Sequence, residues 1–151
     1  MKITICIGFV LVIYAISFAD VIRVPSQIST IQGAIDISQE EDTVLVAPGV
    51  YDESINFSGK NIIVMSESGM DSTIIQGDGA QRVVTFESRE GVDAMLIGFT
   101  IENGNGGILC INQSDPTIWK CKIRNNSDNQ GGGLYGGGGG IRCVRSSPLI
   151  L

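Results

Sequence analysis

The segment Phe99-Thr-Ile-Glu-Asn103 recurs one repeat later as Cys121-Lys-Ile-Arg-Asn125. A second segment, Gly106-Gly-Ile-Leu-Cys110, recurs after a longer interval as Gly139-Gly-Ile-Arg-Cys143. The additional residues of the longer interval fall in the glycine-rich stretch 130–140, as an insertion into one turn of a repeat would. Short apolar runs that repeat with a period in the low twenties, without helical spacing, predict a solenoid of stacked strands.

Further apolar residues support this period. Val64, Phe86 and Ile108 follow one another at the same interval as Phe99 and Cys121, which predicts a second column of stacked side chains. Because equivalent residues are a whole turn apart, we expect successive turns to pair in parallel and in register, whereas hairpins would need tight two-residue loops. The predicted strands are Val21–Val24, Asp42–Gly49 (running into a turn), Tyr51–Phe57, Ile62–Val64, Thr73–Ile75, Val83–Phe86, Met95–Ile101 and Gly107–Cys110.

Composition limits the classes of function. The chain has 151 residues, of which 43% are hydrophobic, and this is enough for one domain with a buried core. Its formal net charge is −6, so it lacks the basic surface expected of a nucleic-acid-binding protein. It contains no histidine, which removes the commonest general base and metal ligand.

The amino terminus has the features of a secretory signal peptide, which we place at residues 1–19. Lys2 precedes an apolar run from Ile3 to Ile16, and Ser17 and Ala19 occupy the small-residue positions of a cleavage site. The run is short for a transmembrane anchor and too uniformly apolar for a strand. We therefore expect a secreted protein, extracellular or at the cell surface, with the periplasm as an alternative, and no membrane span after cleavage.

Residues 20–41 are predicted to contain one strand and one helix that caps the solenoid. Ser29 or Thr30 can cap a helix over Ile31–Ile37. An uncovered first turn would expose apolar side chains and unpaired backbone, so a helix in this position serves as a cover. The face that we expect to be buried comprises Ile31, Ala34, Ile35 and Ser38.

Several segments carry a family resemblance. Residues 30–36, 42–53, 59–62 and 73–77 resemble the amino-terminal cap and first coils of right-handed parallel β-helix proteins of the pectin-lyase-like superfamily, including pectinesterases. Residues 98–101, 114–118 and 121–126 resemble the repeating coils of bacterial secreted right-handed β-helix proteins. The resemblance implies an all-β, right-handed parallel β-helix over residues 42–151, with coils of about 22 residues. It implies less about function, because this scaffold carries different activities.

The carboxyl end predicts an open edge. Residues 146–148 repeat the start of the segment 114–118, and the sequence ends soon after, inside a turn. A solenoid that stops there leaves strand edges uncovered, which favours association. We expect either further coils of a longer product or a partner chain to cover this edge.

Three cysteines, Cys110, Cys121 and Cys143, follow the predicted cleavage point. Cys110 and Cys143 occupy equivalent repeat positions, so they are expected to stack at about the 4.8 Å strand spacing. Parallel Cβ atoms at that distance lie slightly outside the usual disulfide range. We favour free thiols buried as small core residues, with a disulfide as the alternative. Without histidine or a Cys-x-x-Cys pair, no metal site is predicted.

Two asparagines and one short loop have both functional and structural interpretations. Asn103 and Asn125 share a column, and they indicate either a polar row for sugar or, as we favour, a turn with left-handed backbone. Residues 126–131 resemble a calcium loop, but position 137, where a bidentate carboxylate is expected, is glycine. The sequence assigns no calcium ion or other cofactor to this loop.

No residue is assigned a catalytic role. Asp52 and Glu53 are adjacent carboxylates, but neighbouring residues on a strand point to opposite faces, so they are not expected to converge on one substrate. Pectinesterases and pectate lyases place their catalytic and calcium-binding residues on later coils, and nothing in this sequence matches those motifs. The glycine-rich stretch lacks the Lys and Ser/Thr of a phosphate loop.

These observations leave three function hypotheses. The favoured one is a secreted or surface scaffold that binds polysaccharide or other cell-surface material. The second is the amino-terminal part of a carbohydrate-active lyase, esterase or hydrolase with its site beyond residue 151. The third is a bacterial adhesin or autotransporter passenger, because Ile123-x-x-Asn126 followed by glycines resembles repeats of surface β-helices.

Overall fold

The computed structural model describes residues 19–128 and 139–151. These residues contain fourteen short strands and one helix. In chain order the elements are β1 (Val21–Val24), α1 (Ile31–Ile37), β2 (Thr43–Val46), β3 (Gly49–Asp52), β4 (Ile55–Asn56), β5 (Ile63–Ser66), β6 (Thr73–Gln76), β7 (Val84–Phe86), β8 (Met95–Ile97), β9 (Thr100–Glu102), β10 (Ile108–Ile111), β11 (Thr117–Trp119), β12 (Lys122–Arg124), β13 (Ile141–Val144) and β14 (Leu149–Ile150).

The strands form three parallel sheets, and the chain visits each sheet once per coil. The first sheet has the order β1-β2-β5-β8-β11-β14, the second β3-β6-β9-β12 and the third β4-β7-β10-β13. Three consecutive strands, such as β8, β9 and β10, therefore make one coil, and four such coils stack along the axis. This is the all-β parallel β-helix that the repeat predicts.

The repeat that carried the prediction is confirmed residue by residue. Ile101 pairs with Ile123 across β9 and β12. Cys110 pairs with Cys143 across β10 and β13, despite the longer interval between them. The residues at 129–138 lie outside the described part of the chain, and so does most of the predicted glycine-rich insertion.

The second predicted column is wrong. Val64 lies in the first sheet and pairs with Leu96 instead of Phe86. Phe86 lies in the third sheet of the same coil and pairs with Cys110, while Ile108 pairs with Val84. The repeat interval is therefore not constant, because the turns between strands differ in length from coil to coil.

Two of the predicted strands are each divided in the structure. Tyr51–Phe57 contributes to both β3 and β4, and Met95–Ile101 contributes to both β8 and β9. At the second division Gly98 has a φ of +77°, a backbone conformation that favours glycine. The chain turns there from the first sheet to the second, so an uninterrupted apolar run can still change sheets.

The core fills the space between the three sheets. Alternate residues point inward, as in β2, where Val44 and Val46 are fully buried. The rings of Phe57 and Phe86 pack with centroids 4.2 Å apart and thereby join two successive coils. The other large, fully buried side chains are Phe99, Ile31, Ile35, Ile55, Ile62, Ile75, Leu96, Ile101, Ile108 and Ile118.

Helix α1 covers the first coil, as predicted. The Thr30 side chain accepts a hydrogen bond from the backbone N–H of Gly33, which identifies Thr30 as the N-cap. The predicted face is buried, since Ile31, Ala34 and Ile35 are fully inaccessible and Ser38 is 2% exposed.

The last strand of each sheet is described here for residues 19–128 and 139–151 alone. Strands β12, β13 and β14 are the terminal strands of their sheets, and no element within residues 19–128 and 139–151 covers them. The side chains of Leu149, Ile150 and Leu151 are 48%, 55% and 67% exposed.

The predicted signal peptide lies outside the described residues except for Ala19. The one helix of the described segments, α1, has seven residues and is too short to cross a membrane.

Candidate functional site

The outward face of the third sheet carries a column of side chains from four coils. Strand pairing places Asn56 beside Thr85, Thr85 beside Leu109 and Leu109 beside Arg142. Each alternates along its strand with residues of the inward face, so all four lie on the side away from the core. The column is therefore a direct consequence of parallel, in-register stacking.

This column forms the floor of a shallow groove of about 410 Å³, which we call the third-sheet groove. Its walls come from the segments that enter and leave the third sheet, and most of the side chains that it exposes are polar. The lining residues are Ser54, Ile55, Asn56, Ala80, Gln81, Arg82, Thr85, Glu87, Asn105, Leu109 and Arg142.

The side chains of Asn56 and Glu87, on successive coils, hold each other by a hydrogen bond. The Asn56 Nδ2 atom donates to Glu87 Oε1 at 2.8 Å, and Asn56 Oδ1 accepts from the Ser58 backbone N–H at 2.8 Å. The Asn56 amide is therefore oriented before any ligand arrives. The guanidinium of Arg142, at the other end of the column, forms no ion pair with a described residue.

Arg82 is fixed in the wall of the groove. Its Nη2 atom lies 2.9 Å from Asp128 Oδ2, and the two side chains are only 9% and 3% exposed. The guanidinium lies against Gly106, where a Cβ atom would come within 2.2 Å of Nη1, so the contact requires glycine. This ion pair supports the groove, and it leaves Arg142 as the accessible cation of the floor.

A second concavity, of about 460 Å³, adjoins the groove and shares Ser54 and Gln81 with it. Both Asp52 and Glu53 border this concavity, although strand alternation predicted that they point apart. Alternation does not apply to Glu53, because β3 ends at Asp52.

The two carboxylates nevertheless serve different partners. Asp52 accepts a hydrogen bond from the side-chain amide of Gln76 on the next coil. Glu53 accepts hydrogen bonds of 2.9 Å from the backbone N–H groups of Ile31 and Gln32, at the start of α1. Glu53 thus has a structural role, and the pair is not arranged as an acid and a base.

The asparagines of the predicted column adopt the left-handed backbone that we favoured. Asn103 and Asn125 have φ values of +61° and +52°, and both side chains are exposed. The residue that links the coils is the next one, Asn126, for which the sequence did not predict this role. Its Oδ1 accepts from Gly104 N at 2.8 Å and its Nδ2 donates to Ile101 O at 3.0 Å.

These contacts use two residues of the segment that resembles a calcium loop. The amide of Asn126 links the coils, and the carboxylate of Asp128 is paired with Arg82. Within the described segments, no cluster of three or more His, Cys, Asp or Glu side chains could hold a metal ion.

All three cysteines are free, but only one is a fully buried core residue. Burial, together with the neighbouring Cys143 thiol, raises the pKa of Cys110 to about 12. Cys121 is half-buried, and burial raises its pKa as well. Cys143 is exposed, which corrects the prediction of a buried thiol, because β13 lies at the edge of its sheet.

The outward face of the first sheet differs chemically from the groove. Leu45, Met65, Ile97 and Trp119 form an in-register apolar column there. Trp119 is 39% exposed, and Lys120 Nζ lies 4.8 Å from the centroid of its ring. The two faces thus allow an internal comparison between a polar and an apolar surface on one scaffold.

The residues of the third-sheet groove escaped sequence reasoning. Asn56, Thr85 and Arg142 belong to different segments, and no motif joins them. These residues could have been found by aligning the outward-pointing positions of successive strands. That alignment is correct only when the length of each coil is known. No family model, curated protein or solved structure matches the chain, so the comparisons do not assign a ligand to these positions.

Proposed function

We propose that this chain is a secreted or cell-surface β-helix that binds an extended polysaccharide along the third-sheet groove. The proposal includes the right-handed, pectin-lyase-like type of coil that the sequence resembles. It includes no catalytic step in residues 1–151. The protein presents the groove as a surface, and its role is recognition of a polymer.

The observation that carries the proposal is the column Asn56, Thr85, Leu109 and Arg142. Four rows at the strand spacing extend over about 14 Å, since each step is about 4.8 Å. Amide, hydroxyl and guanidinium groups supply both donors and acceptors, which suits a ligand with many hydroxyl groups. A row that repeats along the axis matches a ligand that also repeats, such as a polysaccharide.

The arrangement of carboxylates favours binding over hydrolysis. Glu87 is held by Asn56 at 2.8 Å, and Asp128 is buried against Arg82. A pair of carboxylates that divides acid and base roles needs two groups free to face one bond. The carboxylates of this region hold the scaffold in place, so we assign the groove to recognition.

Affinity electrophoresis tests the proposal. The protein is run in native gels that contain hydroxyethyl cellulose, xylan, galactomannan, starch or polygalacturonate, and at least one of them is expected to retard it. Arg142→Ala should lose most of the retardation. Arg23→Ala is the matched control, because Arg23 lies on the first sheet, away from the groove, and its removal changes the net charge equally.

Two results would count against the proposal. One is equal mobility in all five gels, and the other is equal retardation of Arg142→Ala and the unsubstituted protein. Incubation of the same polysaccharides with the protein provides the catalytic comparison. Release of new reducing ends or of unsaturated products would favour the enzyme hypothesis instead.

Secretion has its own test. The proposed signal peptide ends at Ala19, so the protein recovered from the culture medium should begin at Asp20. Amino-terminal sequencing measures this directly. A product that remains in the cell with Met1 at its start would contradict both the cleavage and the proposed localisation.

A further inference from the structure

Cys110 and Cys143 are direct neighbours across β10 and β13. The two residues are paired in a parallel register, Cys110 with Cys143, so their thiols are neighbours on adjacent coils. Cys110 is fully buried between Cys143 and Phe86, its partner on the other side. Cys143 is exposed, so the pair combines one thiol that solvent reaches with one that it does not.

The backbone spacing permits a bond between the two sulfur atoms. In-register Cα atoms on adjacent parallel strands are about 4.8 Å apart, which lies inside the range found for disulfides. Parallel Cβ atoms must approach by about 1 Å to reach the usual disulfide separation. Among the described strands, β13 has β10 as its only neighbour in the sheet, so it can tilt toward β10 without breaking another ladder.

We propose that Cys110 and Cys143 form a redox-modification site, at which a small-molecule disulfide converts the two thiols to a disulfide between coils. The exposed Cys143 loses its proton to solvent and attacks one sulfur of glutathione disulfide. A mixed disulfide forms, and one glutathione thiolate leaves. Cys110 then loses its proton and attacks the Cys143 sulfur, and the second glutathione leaves as a thiolate. The two cysteines are oxidised, and one glutathione disulfide is reduced to two glutathiones.

The bond would tie the coil of β11, β12 and β13 to the coil of β8, β9 and β10. It would close the segment from Cys110 to Cys143, which contains the glycine-rich stretch. Closing such a loop restricts the unfolded chain and stabilises the edge strand β13. Reduction would release β13, so this strand would respond to the redox state of its surroundings.

Trypsin separates the three cysteines and makes the test direct. Cleavage after Arg and Lys places Cys110, Cys121 and Cys143 in peptides 90–120, 121–122 and 143–145. The full-length folded protein is equilibrated with a glutathione disulfide buffer, alkylated and digested without reduction. The buffer is mildly alkaline, because burial raises the pKa of both Cys110 and Cys143. We expect a linked product of peptides 90–120 and 143–145, two hydrogens lighter than their sum.

Two variants complete the experiment. The oxidised protein is expected to unfold at a higher urea midpoint than the reduced protein. Cys143→Ser should abolish both the linked product and this increase. The fold should tolerate the substitution, because Cys143 is exposed. Cys121→Ser is the matched control and should leave the product unchanged. Three results would overturn the proposal: alkylation of all three cysteines at equilibrium, persistence of glutathione on Cys143, or a bond that includes Cys121.

Discussion

Glu90 is a fully buried carboxylate in the turn between β7 and β8. Its Oε1 accepts a hydrogen bond of 2.8 Å from Gly59 N, and its Oε2 accepts one of 2.9 Å from Ser88 N. Its backbone carbonyl accepts a hydrogen bond of 2.8 Å from Asp115 N. Since Gly59, Ser88 and Asp115 belong to turns of three successive coils, Glu90 holds these turns together.

The hydrogen bonds determine the ionisation of Glu90. Burial alone would raise its pKa, but the bonds from Ser114, Ser88 and Gly59 favour the charged form, and the pKa lies below its ordinary value of 4.5. A carboxylate whose pKa is lowered by folding stabilises the protein above the pKa of the unfolded chain. That stabilisation is lost as the pH falls through the folded pKa.

Glu90→Gln should therefore destabilise the protein in a pH-dependent manner. A glutamine has only one acceptor oxygen, and its NH₂ group would face a backbone donor. We therefore expect the free energy of unfolding to fall by about 2 kcal/mol at pH 7. Urea unfolding at pH 7 and below the pKa of Glu90 measures the change, and the difference from the unsubstituted protein should shrink in acid.

The matched control is Glu67→Gln, because Glu67 is exposed. We expect its free energy of unfolding to remain within about 0.5 kcal/mol of the unsubstituted protein at both pH values. A loss for Glu90→Gln that is equal at the two pH values would contradict the role of the charge.

At the scale of elements, α1 is clamped at both ends by the first coil. Glu53 accepts from the first two N–H groups of the helix. Lys60 Nζ donates to Ile35 O and Asp36 O at 2.7 Å and to Ser38 O at 2.9 Å. These charges complement the helix dipole, and they satisfy backbone groups that a seven-residue helix leaves unpaired.

Lys60→Met should loosen the helical cover. It removes three charge-assisted hydrogen bonds, and we expect the free energy of unfolding to fall by about 1.5–3 kcal/mol. Lys122→Met is the control, because the ion pair of Lys122 with Asp71 joins side chains that are 43% and 80% exposed. Its effect should be much smaller than that of Lys60→Met, as for other surface pairs. Equal losses for the two variants in urea unfolding would contradict the clamp.

The elements also show what the sequence could predict. Helix α1 was predictable because its cap, Thr30, and its buried face are local features of the chain. The column of Ile101 and Ile123 was predictable because the intervening turns keep their length. Val64 and Phe86 were misassigned because any inward apolar residue fits any coil, and the turns between the two residues carry the chain from one sheet to another.

At the scale of the whole molecule, the stacked coils form surfaces whose residues come from several separate segments of the sequence. The parallel fold followed from the repeat, but the third-sheet groove did not, because its floor combines residues from Asn56 to Arg142 across four coils. Its position depends on the lengths of the turns. The same stacking gives the first sheet its apolar column, so the two surfaces offer different chemistry to a ligand.

The most direct test is a nuclear magnetic resonance titration of the ¹⁵N-labelled protein with oligosaccharides of the polysaccharide that retards it most. Backbone amide shifts should concentrate at Asn56, Thr85, Leu109 and Arg142, while Leu45, Met65 and Ile97 on the first sheet should remain unchanged. Shifts that concentrate on the first sheet, or no shifts at saturating oligosaccharide, would contradict the account.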